Sequence, residues 1–241
     1  MTSTHFEARL QHVQRFYETL AKLEESLGGK RTLGTVDGAM TWPRRGLYFF
    51  FEPGEMRTTS GLGLRVTRVG THALKAGSKS TLWGRLRAHR GTQKGLRPGG
   101  GNHRGSVFRL HVGTALIGRD DWPEEITAQW AVGSSAKREV RAKEYPLEQA
   151  VSEYIRSMPF LWLEVDDEPG PASLRGYIER NSIALLSNLD CREASIDRPS
   201  TGWLGHWAAS EHVRCSGLWN VNHVAKEYDP DFLDVLDQQV P

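Results

Sequence analysis

The sequence predicts one α/β domain of the α+β type, in which a small, mainly antiparallel mixed sheet is flanked by helices. Short runs of bulky apolar residues between turn residues predict the strands, and apolar residues at steps of three and four predict the helices. The chain has no internal repeat, and its 241 residues suffice for one substantial core. We therefore expect residues 1–241 to form a single domain.

The N-terminal segment is predicted to be a helix. Between Phe6 and Leu27 apolar residues recur at steps of three and four, and Gly28 and Gly29 supply the stop. We expect this helix, residues 5–27, to pack on the domain as an extension.

Two strands are predicted to follow as a hairpin. Residues 46–52, GLYFFFE, are short and rich in aromatic side chains, which is typical of a buried strand. Residues 61–70 alternate apolar and polar side chains, with Leu62, Leu64 and Val66 on one face. This second strand is expected to pair with the first.

The middle of the chain is predicted to contain a helix, a loop and a third strand. Residues 80–89 carry an apolar stripe behind a Ser or Thr cap, which favours a helix. Residues 91–105 contain six glycines and one proline and are predicted to form a loop. We expect a third strand at residues 106–112.

Four further elements are predicted from the same patterns. They are a charged helix at residues 134–156 that is broken at Pro146, a strand at 159–165, an amphipathic helix at 173–189 and a short acidic helix at 231–239.

Charge is distributed very unevenly along the chain. Residues 56–119 carry thirteen Lys and Arg and no Asp or Glu, whereas residues 120–241 carry eleven basic and twenty-two acidic side chains. The formal net charge of +2 therefore hides segments of +13 and −11. A field of one sign and this size indicates a surface that binds phosphates. The alternative is a solvated basic face with no ligand.

The sequence also indicates a compartment. It contains no run of about 18 apolar residues, and its N-terminus lacks the uninterrupted apolar stretch of a secretory signal. We expect a cytoplasmic protein without membrane contact. Cys191 and Cys215 are too few for a disulfide framework and are expected to be free thiols.

Candidate catalytic residues lie inside and outside the acid-free stretch. Arg85 and His89 are four residues apart on the predicted helix, so their side chains can address the same phosphate. Tyr48 is the one polar side-chain tip among the aromatic residues of the first strand, where a core tyrosine is equally expected. Glu179 lies on a helix whose inward positions are aliphatic, and its carboxylate could hold a divalent cation.

Further basic residues are predicted to contact nucleic acid. Arg87 and Arg90 widen the basic surface around the helix. Lys94, Arg97 and Arg104 lie on the glycine-rich loop, which suits the backbone of a duplex.

The order of these parts resembles the GIY-YIG nuclease superfamily, and within it the restriction-endonuclease-like members. The resemblance rests on Gly46-Leu47-Tyr48, on Arg68-Val69-Gly70, on the helix with Arg85 and His89, and on the later helix with Glu179. It implies a core at residues 46–222 with an insertion near 91–160, followed by a C-terminal tail at 223–241. It also implies two neighbouring strands that carry the tripeptides and one active site with one divalent metal.

The resemblance assigns a role to each matching residue. Tyr48 would orient or deprotonate the attacking water with help from His89, and Arg85 would grip the scissile phosphate. Glu179 would bind one Mg²⁺ or Mn²⁺ per active site. The late asparagine of the family is matched to Asn220, with Asn188 as the alternative.

Two departures from the family pattern leave alternatives open. Arg68 stands where the second tripeptide usually begins with tyrosine, so a cation replaces a phenol near the water. The long segment before Glu179 contains Glu148 and Glu153, which are rival metal ligands.

The chemistry is coherent without the family. A phosphodiester needs an in-line nucleophile, a cation for the charge that develops on the phosphoryl oxygens, and help for the leaving oxygen. Tyr48 with His89, Arg85, and a metal on Glu179 could supply these three. Neighbouring cations such as Arg85 and Arg68 are expected to favour the phenolate of Tyr48.

We therefore expect a metal-dependent endonuclease that acts on DNA and favours double-stranded DNA. A restriction or defence role and a homodimer are compatible with this expectation. The alternative is a DNA- or RNA-binding module without catalysis that uses the basic face at residues 56–119. Two weaker alternatives are a zinc site and a carboxylate-lysine nuclease. The zinc site would use Cys191, His206, His212 and Cys215, and the nuclease would use Asp166, Asp167 and Glu168.

Overall fold

The computed structural model of the chain describes residues 3–189 and 195–241, and within these residues it contains nine α-helices and four strands. The helices are α1 Ser3–Ser26, α2 Leu82–Arg90, α3 Val107–Arg119, α4 Glu124–Thr127, α5 Arg138–Lys143, α6 Tyr145–Ser157, α7 Leu174–Leu186, α8 Glu211–Ser216 and α9 Phe232–Gln239. The strands are β1 Arg31–Thr32, β2 Gly46–Met56, β3 Leu64–Gly70 and β4 Pro159–Glu164. No helix of the described residues is long and apolar enough to cross a membrane.

The four strands form one sheet in the order β1, β4, β2, β3, and all three pairings are antiparallel. Tyr48 in the centre of β2 lies opposite Gly70 on β3 and Trp162 on β4. Arg68 lies opposite Phe50, so Arg68 and Gly70 share the face of the sheet that carries Tyr48. The predicted antiparallel α/β architecture is therefore confirmed.

Strand β2 separates two hydrophobic cores because successive side chains point to opposite faces of the sheet. Leu47, Phe49 and Phe51 pack with residues of α1, α7 and α9 on one face. Tyr48 and Phe50 pack with residues of α2, α3 and α6 on the other. The apolar face of the first helix thus forms part of the first core.

The predicted strand at residues 106–112 is wrong, because residues from Val107 onward form helix α3. The Ser106 side chain caps this helix by accepting a hydrogen bond from the Arg109 amide at 3.3 Å. Phe108 and Val112 are fully buried in the second core and lie on one helical face. Their spacing of four residues fits a helix as well as it fits one face of a strand, and the cap decides.

Candidate active site

The second face of the sheet brings Tyr48 and His89 together. The Tyr48 hydroxyl lies 2.8 Å from Nε2 of His89, which α2 projects onto the sheet. The other ring nitrogen, Nδ1, lies 2.8 Å from the Ser106 hydroxyl. All three side chains are buried, so Tyr48, His89 and Ser106 form an enclosed hydrogen-bonded chain.

His89 is held in its neutral form. Burial lowers its pKa well below the ordinary value, and the nearby guanidinium groups of Arg85, Arg68 and Arg109 lower it further. A neutral imidazole donates through one nitrogen and accepts through the other, so it can pass a proton between Tyr48 and Ser106.

Gly70 gives the Tyr48 ring its place. A Cβ added at residue 70 would lie 2.3 Å from the Tyr48 hydroxyl oxygen and 2.4 Å from Cζ. Side chains larger than hydrogen at this position would therefore overlap the ring, and glycine is required by close approach rather than by backbone conformation. The second tripeptide thus serves the tyrosine of the first.

Arg68 lies beside Tyr48 on the same face and is buried. It donates a hydrogen bond of 2.6 Å to the backbone carbonyl of Trp219, and its guanidinium lies over the Phe108 ring. Burial lowers the pKa of Arg68, whereas the nearby Tyr48 and Glu179 raise it. The cation that replaces the expected tyrosine is therefore a neighbour of both the phenol and the candidate metal ligand.

Arg85 is half-buried and has neither an ion-pair nor a hydrogen-bond partner among the described residues, and its Nε is fully enclosed. Its charge nevertheless acts on the site, because it helps to lower the pKa of both His89 and Glu179. A guanidinium with unused donors at this place is suited to bind a phosphate.

Glu179 projects from α7 toward the end of β3. One of its oxygens accepts a hydrogen bond of 3.0 Å from the Thr71 amide, and the other accepts none from the described residues. Burial raises the pKa of this half-buried carboxyl, although Arg68 and Arg85 partly oppose the rise.

These features fit a hard divalent cation. One oxygen of Glu179 accepts no hydrogen bond from the described residues, and burial raises the pKa of this carboxyl, an effect that a bound cation would oppose. No group of three His, Cys, Asp or Glu side chains that could hold a metal exists in the part of the chain that the structure describes. Glu179 could therefore bind a metal only together with water and substrate oxygens, which Mg²⁺ accepts.

The two candidate asparagines have backbone partners. The Asn220 carboxamide accepts from the Val69 amide at 3.1 Å and donates to the Val69 carbonyl at 2.8 Å, so it extends the sheet beside β3. Asn188 bonds the backbone of Ile196 in the same two-sided way. Asn220 thus fixes the strand that carries Arg68 and Gly70, and its side chain does not point freely into the site.

The rival metal ligands occupy other positions. Glu148 is buried in a network in which Arg109 forms an ion pair with it and His103 lies 3.0 Å from it. Arg109 also donates to the backbone carbonyl of His89 at 2.9 Å, so this network supports helix α2. Glu153 is exposed on α6.

The two weaker alternatives receive no support from the described residues. Cys191 lies outside them, and His206 and His212 each bond a separate backbone carbonyl, those of Ser200 and Val221. Cys215 is a free, exposed thiol. The acidic turn is engaged with arginines: Asp167 pairs with Arg175, and Arg45 reaches Asp166 and Glu168.

The thirteen cations of the acid-free stretch divide into three groups. Four form ion pairs, which are Arg65 with Glu55, Arg104 with Glu144, Arg109 with Glu148 and Arg119 with Asp120. Three donate to backbone carbonyls, which are Arg57, Arg68 and Arg90. Six have no hydrogen-bond or ion-pair partner among the described residues, which are Lys75, Lys79, Arg85, Arg87, Lys94 and Arg97.

Two of the residues that were predicted to contact DNA bind other groups within the protein. The Arg104 guanidinium is buried in a two-pronged ion pair with Glu144. Arg90 is buried, stacks on Trp83 and donates to the Val36 carbonyl at 3.0 Å. Of the five predicted DNA contacts, Arg90 and Arg104 thus have partners within the protein, whereas Arg87, Lys94 and Arg97 have no hydrogen-bond or ion-pair partner among the described residues.

Three residues of this arrangement were not predicted from the sequence. Ser106 ends the Tyr48–His89 chain, and its position before an apolar run is the signal of a helix cap. Thr71 holds Glu179 through its backbone amide, which leaves no signal in the sequence. Gly70 belongs to the second tripeptide, but its contact with the Tyr48 ring depends on strand register.

A comparison with protein families places this chain in a known family. A family model described as a GIY-YIG domain matches residues 7–241. No curated protein and no solved structure matches the chain. The match begins inside α1 and includes both cores.

Proposed function

The chain belongs to the GIY-YIG domain family, and from this membership we propose that it is a metal-dependent endonuclease that hydrolyses phosphodiester bonds of double-stranded DNA. The family makes nuclease chemistry on DNA the general expectation. One observation carries the finer proposal: Arg85, which has no hydrogen-bond or ion-pair partner among the described residues, is close enough to lower the pKa of both Glu179 and His89, the partner of Tyr48. A cation near both a candidate proton acceptor and a candidate metal ligand is suited to phosphoryl transfer.

In the proposed reaction, Tyr48 orients and deprotonates the attacking water. As the water loses a proton to the phenol oxygen, the phenol proton moves to Nε2 of neutral His89 over the 2.8 Å hydrogen bond, and the phosphate of the bound DNA would balance the imidazolium so formed. Tyr48 has no exposed surface, so DNA binding must uncover its hydroxyl. Arg68 is the neighbouring cation, and attraction of its guanidinium to a phosphate would open this path.

Arg85 binds the scissile phosphate and stabilises the charge that develops on its oxygens in the transition state. A Mg²⁺ or Mn²⁺ bound by Glu179, one per active site, would stabilise the leaving oxygen as a Lewis acid. Thr71 fixes the Glu179 carboxylate by its backbone amide. Asn220 positions β3 through Val69.

We further propose a restriction or defence enzyme that works as a homodimer. A histidine one turn after the helix arginine resembles restriction-type members of the superfamily, and Arg85 and His89 have this spacing. Two copies of one active site would allow both strands of a duplex to be cut.

The proposal is tested by incubating the protein with supercoiled plasmid from modified and unmodified sources, with single-stranded DNA and with branched DNA, each with Mg²⁺, with Mn²⁺ and with EDTA. We expect metal-dependent cleavage of duplex DNA. Failure to cut any of these substrates under all conditions, although the protein binds DNA, would favour the non-catalytic binding module instead.

A further inference from the structure

The glycine-rich loop between α2 and α3 has an anchored base. The Thr92 amide donates to the Gly100 carbonyl at 2.7 Å, and the Gly99 amide donates to the Thr92 carbonyl at 2.8 Å. From α6, Tyr145 and Gln149 both donate to the Pro98 carbonyl, at 2.6 and 3.2 Å. These contacts hold residues 92–100 as a short protruding turn.

The tip of this turn carries an apolar side chain in solvent. Leu96 is 98% exposed, and it follows Gly95, whose φ of 95° turns the chain. Lys94 and Arg97 lie on either side of it, and neither has an ion-pair partner among the described residues. Burial of this leucine on a partner would be favourable, and the two cations beside it would favour an anionic partner.

A groove lies between α2 and the base of the turn, and Thr92, Gln93 and Lys94 of the turn are part of its lining. It has a volume of about 780 Å³ and is lined by Arg87, Lys94 and Arg141, among others, with Asp37 as its single carboxylate. Arg87 belongs to α2, the helix that also carries Arg85. The groove is thus lined mainly by cations among its charged residues, and it extends from α2 to the turn.

We propose that Leu96 is a wedge that inserts between stacked base pairs of duplex DNA while the groove cations bind the flanking backbone. This inference rests on the proposed function and adds to it a class of substrate, namely duplexes that can be kinked. Apolar wedges on DNA-bending proteins unstack one base step. The free-energy cost of this unstacking is offset by the additional contacts that the bent duplex makes with the protein. Flexible pyrimidine–purine steps cost the least to unstack and would be preferred.

Charge identifies the occupant. An apolar protein partner would have to desolvate Lys94 and Arg97 without neutralising them, whereas DNA presents phosphates on both sides of each base step. The anchored base matters as well, because a wedge on a free loop would fold back instead of entering the stack.

The test uses closed-circular plasmid, a topoisomerase that needs no Mg²⁺, and EDTA to prevent cleavage. Relaxation in the presence of the wild-type protein should leave underwound topoisomers after the protein is removed, because insertion unwinds the duplex. Leu96→Ser should lose most of this shift while plasmid affinity falls by about tenfold or less, and Leu96→Phe should keep it. Leu62→Ser is the matched control, since Leu62 is 92% exposed in a different loop, the one that joins β2 to β3, and its substitution should leave the shift unchanged.

The outcomes separate this inference from the proposed function. An equal topoisomer shift for wild type and Leu96→Ser, or no shift when the wild type is bound, would overturn the wedge even if the protein cuts DNA with Mg²⁺. Loss of self-association in Leu96→Ser without a change in topoisomers would identify a second copy of the chain as the partner of Leu96. A wild-type protein that neither binds nor cuts DNA would overturn both proposals.

Discussion

The contact between Gly70 and Tyr48 offers a sharp test of how the two strands build the site. In Gly70→Ala the new Cβ would lie 2.3 Å from the hydroxyl oxygen, 2.4 Å from Cζ and 2.6 Å from Cε2 of Tyr48. An ordinary contact needs about 3.4 Å or more, so the ring must move by about 1 Å. The 2.8 Å bond to His89 would not survive such a displacement.

The expected effect has two parts. Overpacking of this kind costs about 1–3 kcal/mol, which lowers the melting temperature by about 2–12 °C for a chain of this length. Misplacing a reacting group by about 1 Å lowers the cleavage rate by about 100-fold. Thermal unfolding followed by circular dichroism measures the first effect, and single-turnover cleavage of bound duplex measures the second.

Two comparisons make this result specific. Gly170→Ala is the matched control because its added Cβ meets nothing within 4 Å, so stability and cleavage should be unchanged. In a Tyr48→Leu background the Gly70→Ala substitution should cost less, because the atoms it overlaps are gone. The reasoning is refuted if Gly70→Ala cleaves like the wild type, or if it costs the same stability in both backgrounds.

Three further predictions follow from the charges. Burial raises the pKa of Glu179, so ionisation of this carboxyl destabilises the fold as the pH rises. Glu179→Gln should therefore abolish cleavage and yet have a higher melting temperature than the wild type at pH 8, and this difference should shrink as the pH falls through the raised pKa. A lower melting temperature of the variant at pH 8 would contradict this. Arg85→Ala should abolish cleavage, whereas Arg87→Ala should only weaken DNA binding and reduce the slope of log affinity against log salt concentration by about one. An equal loss of cleavage activity in the two variants would show that the phosphate site is misplaced. Arg104→Ala should lower the free energy of unfolding in urea by about 3–5 kcal/mol because it leaves Glu144 buried and unpaired. Unchanged stability together with a changed salt dependence of DNA affinity would show instead that Arg104 contacts DNA.

Local patterns predicted the elements whose signal lies within a few residues. The aromatic run of β2, the stripe of α2, the apolar run of β4 and the amphipathic α7 all lie near their predicted positions. The segment after Ser106 failed because its apolar spacing suits two structures, and only the cap distinguishes them. The family resemblance is confirmed by the match over residues 7–241.

Partners that are distant in sequence could not be predicted. In the sequence, the cations of the acid-free stretch have no nearby carboxylates to pair with. The structure supplies these from distant segments: Glu144 lies 40 residues from Arg104, and Glu148 lies 39 residues from Arg109. Similarly, the hydrogen bond between Tyr48 and His89 spans 41 residues and depends on how α2 packs on the sheet. The catalytic roles of Tyr48, Arg68, Arg85, His89, Asn220 and Glu179 stay predictions.

The central claim is that one carboxylate, Glu179, supports metal-dependent hydrolysis on the face of the sheet that carries Tyr48. Its most direct test is single-turnover cleavage of bound duplex DNA by the wild type, Glu179→Gln and Glu153→Gln, with Mg²⁺ and with EDTA. Glu153 is the control because it is exposed on α6. We predict that the wild type and Glu153→Gln cut only with Mg²⁺, and that Glu179→Gln binds the duplex without cutting it. Mg²⁺-dependent cleavage by Glu179→Gln at the wild-type rate would contradict the claim.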